Sequence, residues 1–164
     1  MSISTPPIYL YTLVDVPGVV AANNFLAVFN PANSGKVHVA LQLIVASYSG
    51  GVTATANSLI SKRITASSGG TLVSASTVAR FRTDWDDPAS AVRIDNPTVT
   101  TSGLGLAVVS PVVSAGVGQS SAQISPPPGA SFVMTPGQGL VFYTAGGDVD
   151  QVWNITYLWT EADA

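Results

Sequence analysis

The sequence predicts an all-β domain, an antiparallel β-sandwich of jelly-roll type with about seven to nine strands and an extended N-terminal segment. Three observations predict it. Gly and Pro, 15 and 11 of 164 residues, interrupt the chain too often for long helices. Period-two alternation rich in Val, Ile and Thr recurs in segment after segment. Helical patterning has one candidate, a single turn within Asp84–Val92, where Asp86-Asp87-Pro88-Ala89 offers an N-cap carboxylate followed by an early Pro. A chain of this length suits one domain, and at about 150 residues it buries roughly 68–70% of its unfolded surface. No disulfide or metal is required to hold it.

Met1–Pro7 has no basic region and no long apolar core, so it does not read as a secretory signal. The mostly apolar run Ile8-Tyr9-Leu10-Tyr11-Thr12-Leu13-Val14 follows. Residues 1–15 have two readings: the first strand of the sandwich, or an arm that adds a strand to a neighbouring subunit. Residues 16–164 form the sandwich itself. On the arm reading, Ile8, Tyr9 and Tyr11 are the partner-binding side chains, and removal of residues 1–13 leaves the sandwich folded.

Asn24–Asn30 is the next strand, closed by Pro31-Ala32-Asn33-Ser34-Gly35. Pro fixes φ there, Asn and Ser bond back to the backbone, and Gly accepts positive φ. Lys36–Tyr48 alternates, with Val37, Val39, Leu41, Leu43 and Val45 on one face and Lys36, His38, Ala40, Gln42, Ile44 and Ala46 on the other. The two strands are predicted to form an antiparallel hairpin. Further strands are expected at Ser58–Ala66, Leu104–Ser110, Ser131–Met134, Gly139–Ala145 and Gln151–Thr160. In the last, Trp153, Ile155, Tyr157 and Trp159 share a face, which reads as a wall of the core. Gly50–Asn57, Gly69–Thr77 and Ser114–Gly129 read as loops, the last containing the extended Pro126-Pro127-Pro128-Gly129. No shift of composition divides the chain. The longest largely apolar stretch, Val37–Ala46, is far short of the about 20 residues of a membrane helix, so a soluble product away from membranes is expected.

Reactive chemistry is sparse. Cysteine is absent, and His38 is the only histidine. No G-x-S-x-G elbow supplies a nucleophile for it, so it reads as a packed or surface strand residue. Asp84, Asp86 and Asp87 surround Trp85, and Asp148 and Asp150 flank Val149, but neither group fits the acidic calcium-loop pattern. Glu161, the only Glu, lies near a chain end expected to fray, which argues against a paired-carboxylate glycosidase. Asn154-Ile155-Thr156 fits a glycosylation pattern within a predicted strand, and Gly103-Leu104-Gly105 and Gly137-Gln138-Gly139 read as turn glycines. No catalytic, cofactor or metal residue is assigned, and an enzyme is not expected. Trp85 is either a packed loop residue or a stacking platform for a sugar.

Charge is the most telling quantity. Only 9% of residues are charged, against about 25% in ordinary soluble domains. Mean hydropathy is +0.38. Such a surface suits either a compact β-domain with short side chains or a domain covered by partners, since interface cores are depleted in charge. A net charge of −3, with only Lys62 and Arg63 adjacent among the basic residues, argues against nucleic-acid binding.

The stretch Phe25–Tyr48, FLAVFNPANSGKVHVALQLIVASY, resembles a pattern in structural proteins of tailed bacteriophages, where a strand ends in Asn-Pro-x-x-Ser-Gly-Lys and a long aliphatic strand follows. Lys62–Thr71 and the Thr135-Pro136-Gly137-Gln138-Gly139-Leu140 turn continue the likeness over roughly residues 25–160. The resemblance implies a capsid decoration (cement) protein. Such a protein is a homotrimer made in the host cytoplasm that sits on the virion surface and braces contacts between major capsid protein subunits. A head-fibre or tail-associated module that binds a receptor or carbohydrate is the alternative, with Trp85 and the Asp84–Asp87 loop as its platform.

Overall fold

The structure, a computed structural model, describes residues 6–18, 21–49, 59–109, 118–125, 132–144 and 151–164. Within them the chain forms β1 (Ile8–Pro17), β2 (Asn23–Asn30), β3 (Lys36–Ser49), β4 (Leu59–Ser68), β5 (Thr71–Leu72), β6 (Ala79–Arg80), β7 (Ala91–Ile94), β8 (Thr98–Val109), β9 (Gly118–Ile124), β10 (Phe132–Met134), β11 (Gln138–Thr144) and β12 (Gln151–Asp163). They make two antiparallel sheets. One runs β10-β3-β12-β1-β6, with β9 also on β3; the other runs β5-β7-β2-β11-β4-β8. The expected sandwich is present, with more strands than predicted because β5, β6, β7 and β9 were not expected, and β5 and β6 have only two residues each.

Aromatic rings join the two sheets. Trp153, Ile155, Tyr157 and Trp159 on β12 are all buried, so the predicted core wall is the core wall. From the opposite sheet, Phe25 lies 6.5 Å from Trp153 and Phe142 lies 5.3 Å from Tyr157, ring centre to ring centre. β2 is buried on both faces, because its Ala27 packs with Ile64 and Val141 in a second, smaller cluster away from the main core.

Several expectations fail for identifiable reasons. β2 and β3 are not a hairpin: β2 pairs with β11 and β7, while β3 pairs with β12, β10 and β9. The turn at residues 31–35 carries the chain from one sheet to the other, with Gly35 at φ 64°. Asn30 fixes this crossing, since its side-chain amide donates to the Lys36 carbonyl at 2.7 Å and the Met134 carbonyl at 3.1 Å. β3 does not keep one phase either. Leu158 and Trp159 of β12 face Gln42 and Ala40, which leaves Leu41 as an extra, bulged residue. His38 and Ala40 therefore turn inward along with Leu43 and Val45.

Residues 84–92 hold no helical turn; the segment up to Ser90 is irregular, and β7 begins at Ala91. The segment Ser114–Gly129, expected to be all loop, contains β9, and Gly69–Thr77 contains β5 and a short 3₁₀ turn at Ala75–Thr77. β8 begins at Thr98, earlier than expected. Gly50–Asn57 and Pro126–Gly129 lie outside the described residues.

Of the two readings of residues 1–15, the structure gives Ile8–Pro17 the first strand. β1 runs beside β12 from Ile8 opposite Thr160 to Pro17 opposite Val152, with a bulge between Leu13 and Val16. Because β1 covers one whole edge of the strand that carries the core wall, a chain lacking residues 1–13 is expected to lose its cooperative urea-unfolding transition. This replaces the expectation that the sandwich survives that deletion. Gly139 is a second sensitive point, since a Cβ there would run into the Val28 carbonyl. Gly139→Ala is expected to cost about 1–3 kcal/mol, read from the same urea midpoint.

Candidate functional site

The bulge at Leu41 decides where the only imidazole goes. His38 is fully buried, with Nδ1 2.8 Å from Ser90 Oγ and Nε2 2.8 Å from the Tyr157 hydroxyl. Its ring lies nearly parallel to Trp159, 5.5 Å away, and to Tyr157, 5.7 Å away. Burial lowers its pKa to about 3, so the ring is neutral at ordinary pH and uses one nitrogen as donor and the other as acceptor. Burial likewise pushes the Tyr157 hydroxyl well above its ordinary value. With both nitrogens engaged and no solvent contact, His38 acts as a packing and hydrogen-bonding residue.

Glu161 was expected to fray but is buried, at 3% exposure. Its Oε1 accepts from the Ser90 N–H at 3.0 Å and the Trp159 indole N–H at 3.1 Å, and Oε2 accepts from the Ala89 N–H at 2.8 Å. A buried carboxylate is tolerated only when so satisfied. One side chain thus ties the irregular segment before β7 to the end of β12. The signal was in the sequence: Trp153, Ile155, Tyr157, Trp159 and Glu161 are one period-two series.

That segment forms one wall of an open cleft of about 530 Å³, lined among others by Tyr9, Lys36, Trp85, Asp86, Glu161 and Asp163. Tyr9 donates its hydroxyl to the Asp86 carbonyl at 3.1 Å. Arg80 donates to the Trp85 carbonyl at 2.9 Å and to Asp87 at 2.8 Å. Arg82 holds both oxygens of Asp84, at 2.9 and 2.6 Å, and its guanidinium sits 5.7 Å from the Trp85 ring centre. Lys36 pairs with Asp163 at 2.6 Å. The bonds from Arg82 and Lys36 hold Asp84 and Asp163 below the usual carboxylate range, and burial raises Tyr9 to about 12. Asp84 and Asp87 therefore serve as partners for arginine rather than as helix caps. Among the described residues, no three His, Asp or Glu side chains converge where a metal ion could sit. Asp148 and Asp150 lie outside them.

The three candidate contact residues on β1 do not act as one set. Tyr9 is buried in the main core beneath the cleft, Tyr11 packs half-buried against the same core, and Ile8 is half-buried on the alternate face. Trp85 is half-buried at the cleft. Comparison of the chain with protein-family models, curated proteins and solved structures yields no match in any of the three.

His38 makes stability depend on pH. The folded protein keeps it neutral down to about pH 3, whereas the unfolded chain protonates it near 6.5. The unfolded state binds more protons between those values, so this contribution is lost as pH falls from about 6.5 toward 3. The slope is at most about 1.4 kcal/mol per pH unit. Urea unfolding at pH 7 and pH 5 is expected to show the loss in the native chain and a smaller one in His38→Gln. Glu161→Gln is expected to cost about 1.5–3 kcal/mol at pH 7 in the same assay, because the amide replaces one acceptor oxygen with a donor.

Proposed function

We propose that this chain is a structural adhesion domain, a decoration (cement) protein that sits on the outer shell of a tailed-phage virion and braces contacts between major capsid protein subunits. The observation that carries the reading is a sandwich with few charges that leaves large apolar side chains standing in solvent. Phe81 and Val14 are each 61% exposed and Leu72 is 57% exposed. Phe81 stands beside β1, its N–H bonded to the Ile8 carbonyl at 3.3 Å. Ile8 and Phe81 thus form a contact patch on a rigid edge, which takes over the role first given to Ile8, Tyr9 and Tyr11 together.

The mechanism is mechanical. A standard interface buries about 800 Å² per partner, and much of the gross gain of about 25 cal/mol per Å² is offset by ordering costs. Many symmetric copies on one shell supply the avidity that a single contact lacks. Shell opening then requires these contacts to break.

A second reading is favoured by the cleft. A volume of about 530 Å³ with Trp85 in its wall and carboxylates around it suits a sugar ring, as in a head-fibre or tail-associated carbohydrate-binding module. Purified chain is expected to co-sediment with shells assembled from the major capsid protein encoded in the same genome, and Phe81→Asp to lose most of that binding while unfolding at an unchanged urea concentration. No co-sedimentation of the native chain, or no capsid gene in that genome, would sink the decoration reading. Glycan-array binding abolished by Trp85→Ala would establish the second reading in its place.

A further inference from the structure

Between Asp95 and Asp148 the sequence contains no Asp, Glu, Lys, Arg or His, although the chain as a whole is 9% charged. The run supplies β8, β9, β10 and β11. β11 lies inside its sheet, but β8 ends one sheet, and β9 and β10 share the outer side of β3 in the other. Arg63 on β4 donates to the Val133 carbonyl on β10 at 3.1 Å, so the β10 side of one sheet lies over the β4–β8 side of the other. One flank of the sandwich is thus edged entirely by strands without charge.

Edge strands ordinarily carry a device against pairing with other chains: shortness, a bulge, a charge or a proline. β5, β6 and β10 are short, and β6 ends in Arg80. The outer edge of β1 past Leu10 has a bulge, Asp15 and Pro17. β8 shifts register against β4 in three places. β9, reading GQSSAQI, has none of these: it pairs with β3 in unbroken register from Leu43 opposite Ile124 to Ser49 opposite Gly118. Among the described residues its other edge has no partner strand.

We propose that the β9 edge pairs antiparallel with the β9 edge of a second copy of this chain. Charge selects the occupant. Each copy carries −3, and two like-charged copies meet with least repulsion through edge strands that hold none of that charge. The described carboxylates lie elsewhere, on β1, on either side of β7 and at the end of β12. The two cations of β4 on this side are already engaged: Lys62 stands 4.4 Å from the Tyr143 ring centre, and Arg63 bonds Val133. Antiparallel pairing of identical edges is two-fold by construction. Full overlap of Gly118–Ile124 places the axis at Ser121, opposite its own symmetry mate. This departs from the three-fold assembly that the phage resemblance implies, and it stands independently of shell binding.

Sedimentation equilibrium at micromolar concentration should give twice the 16.7 kDa of one chain. Ser121 and Gln123 are both exposed, so Ser121→Lys with Gln123→Lys should restore single-chain mass at unchanged circular dichroism, while Thr71→Lys on the β5 edge should not. The chain has no cysteine, so Ser121→Cys should form a disulfide-linked dimer on mild oxidation without further engineering. A single-chain mass for the native protein, a three-fold mass, or no cross-link through Ser121→Cys would each overturn the pairing. Loss of shell binding with the double mass intact would count against the decoration reading alone.

Discussion

The face of β12 that carries Trp153, Ile155, Tyr157 and Trp159 must be kept from water, and most of the fold can be read as the covering of that face. Full burial of a large apolar side chain contributes about 1.5–3 kcal/mol. β3 and β1 flank β12 within its own sheet, and Phe25 and Phe142 approach from the other. His38 enters this stack through the bulge at Leu41. A polar ring is tolerated there because Ser90 and Tyr157 satisfy both nitrogens and Trp159 offers a parallel face. The same series ends in Glu161, which turns the last buried position of the strand into an anchor for the segment before β7. Core and cleft are therefore two ends of one strand face.

The strands themselves were legible because their chemistry is local. β-Branched alternation marked β3 and β4, the turn residues at 31–35 marked a change of direction, and the aromatic stripe marked the core wall. What the turn could not reveal is the destination of the chain after it. Pro31 to Gly35 suits a hairpin and a crossing between sheets equally well, and the choice rests on Asn30 reaching Lys36 and Met134, the latter a contact distant in sequence. The phase of β3 was misread for a related reason: one bulged residue reverses every side chain beyond it, and Leu41 looks like any other apolar strand residue.

The candidate site was partly legible. Trp85 and its neighbouring aspartates were marked as a group, and they do wall a cleft. Their arginine partners Arg80 and Arg82 precede them closely, yet the Asp-Asp-Pro spelling suggested a cap and hid the pairing. β9 was missed because Ser and Gln signal strand weakly; its pairing with β3, not its own propensity, makes it extended. Tyr9 shows the opposite case. An apolar run beside a chain end suits an arm as well as a strand, and only the partner strand β12, drawn from the far end of the sequence, decides between them.

That neighbourhood of first and last strands constrains how the molecule comes into being. β12 lies between β3 and β1, so the central part of its sheet is incomplete until β12 itself has been synthesised. A nascent chain emerging from the ribosome therefore holds β1 and β3 without their shared partner until β12 emerges. Acquisition of the native state then waits for β12, at the slower rates typical of topologies dominated by distant pairings. Throughout that interval β3 presents an unsatisfied edge and an apolar face, so the newly made polypeptide is most vulnerable to aggregation before β12 arrives.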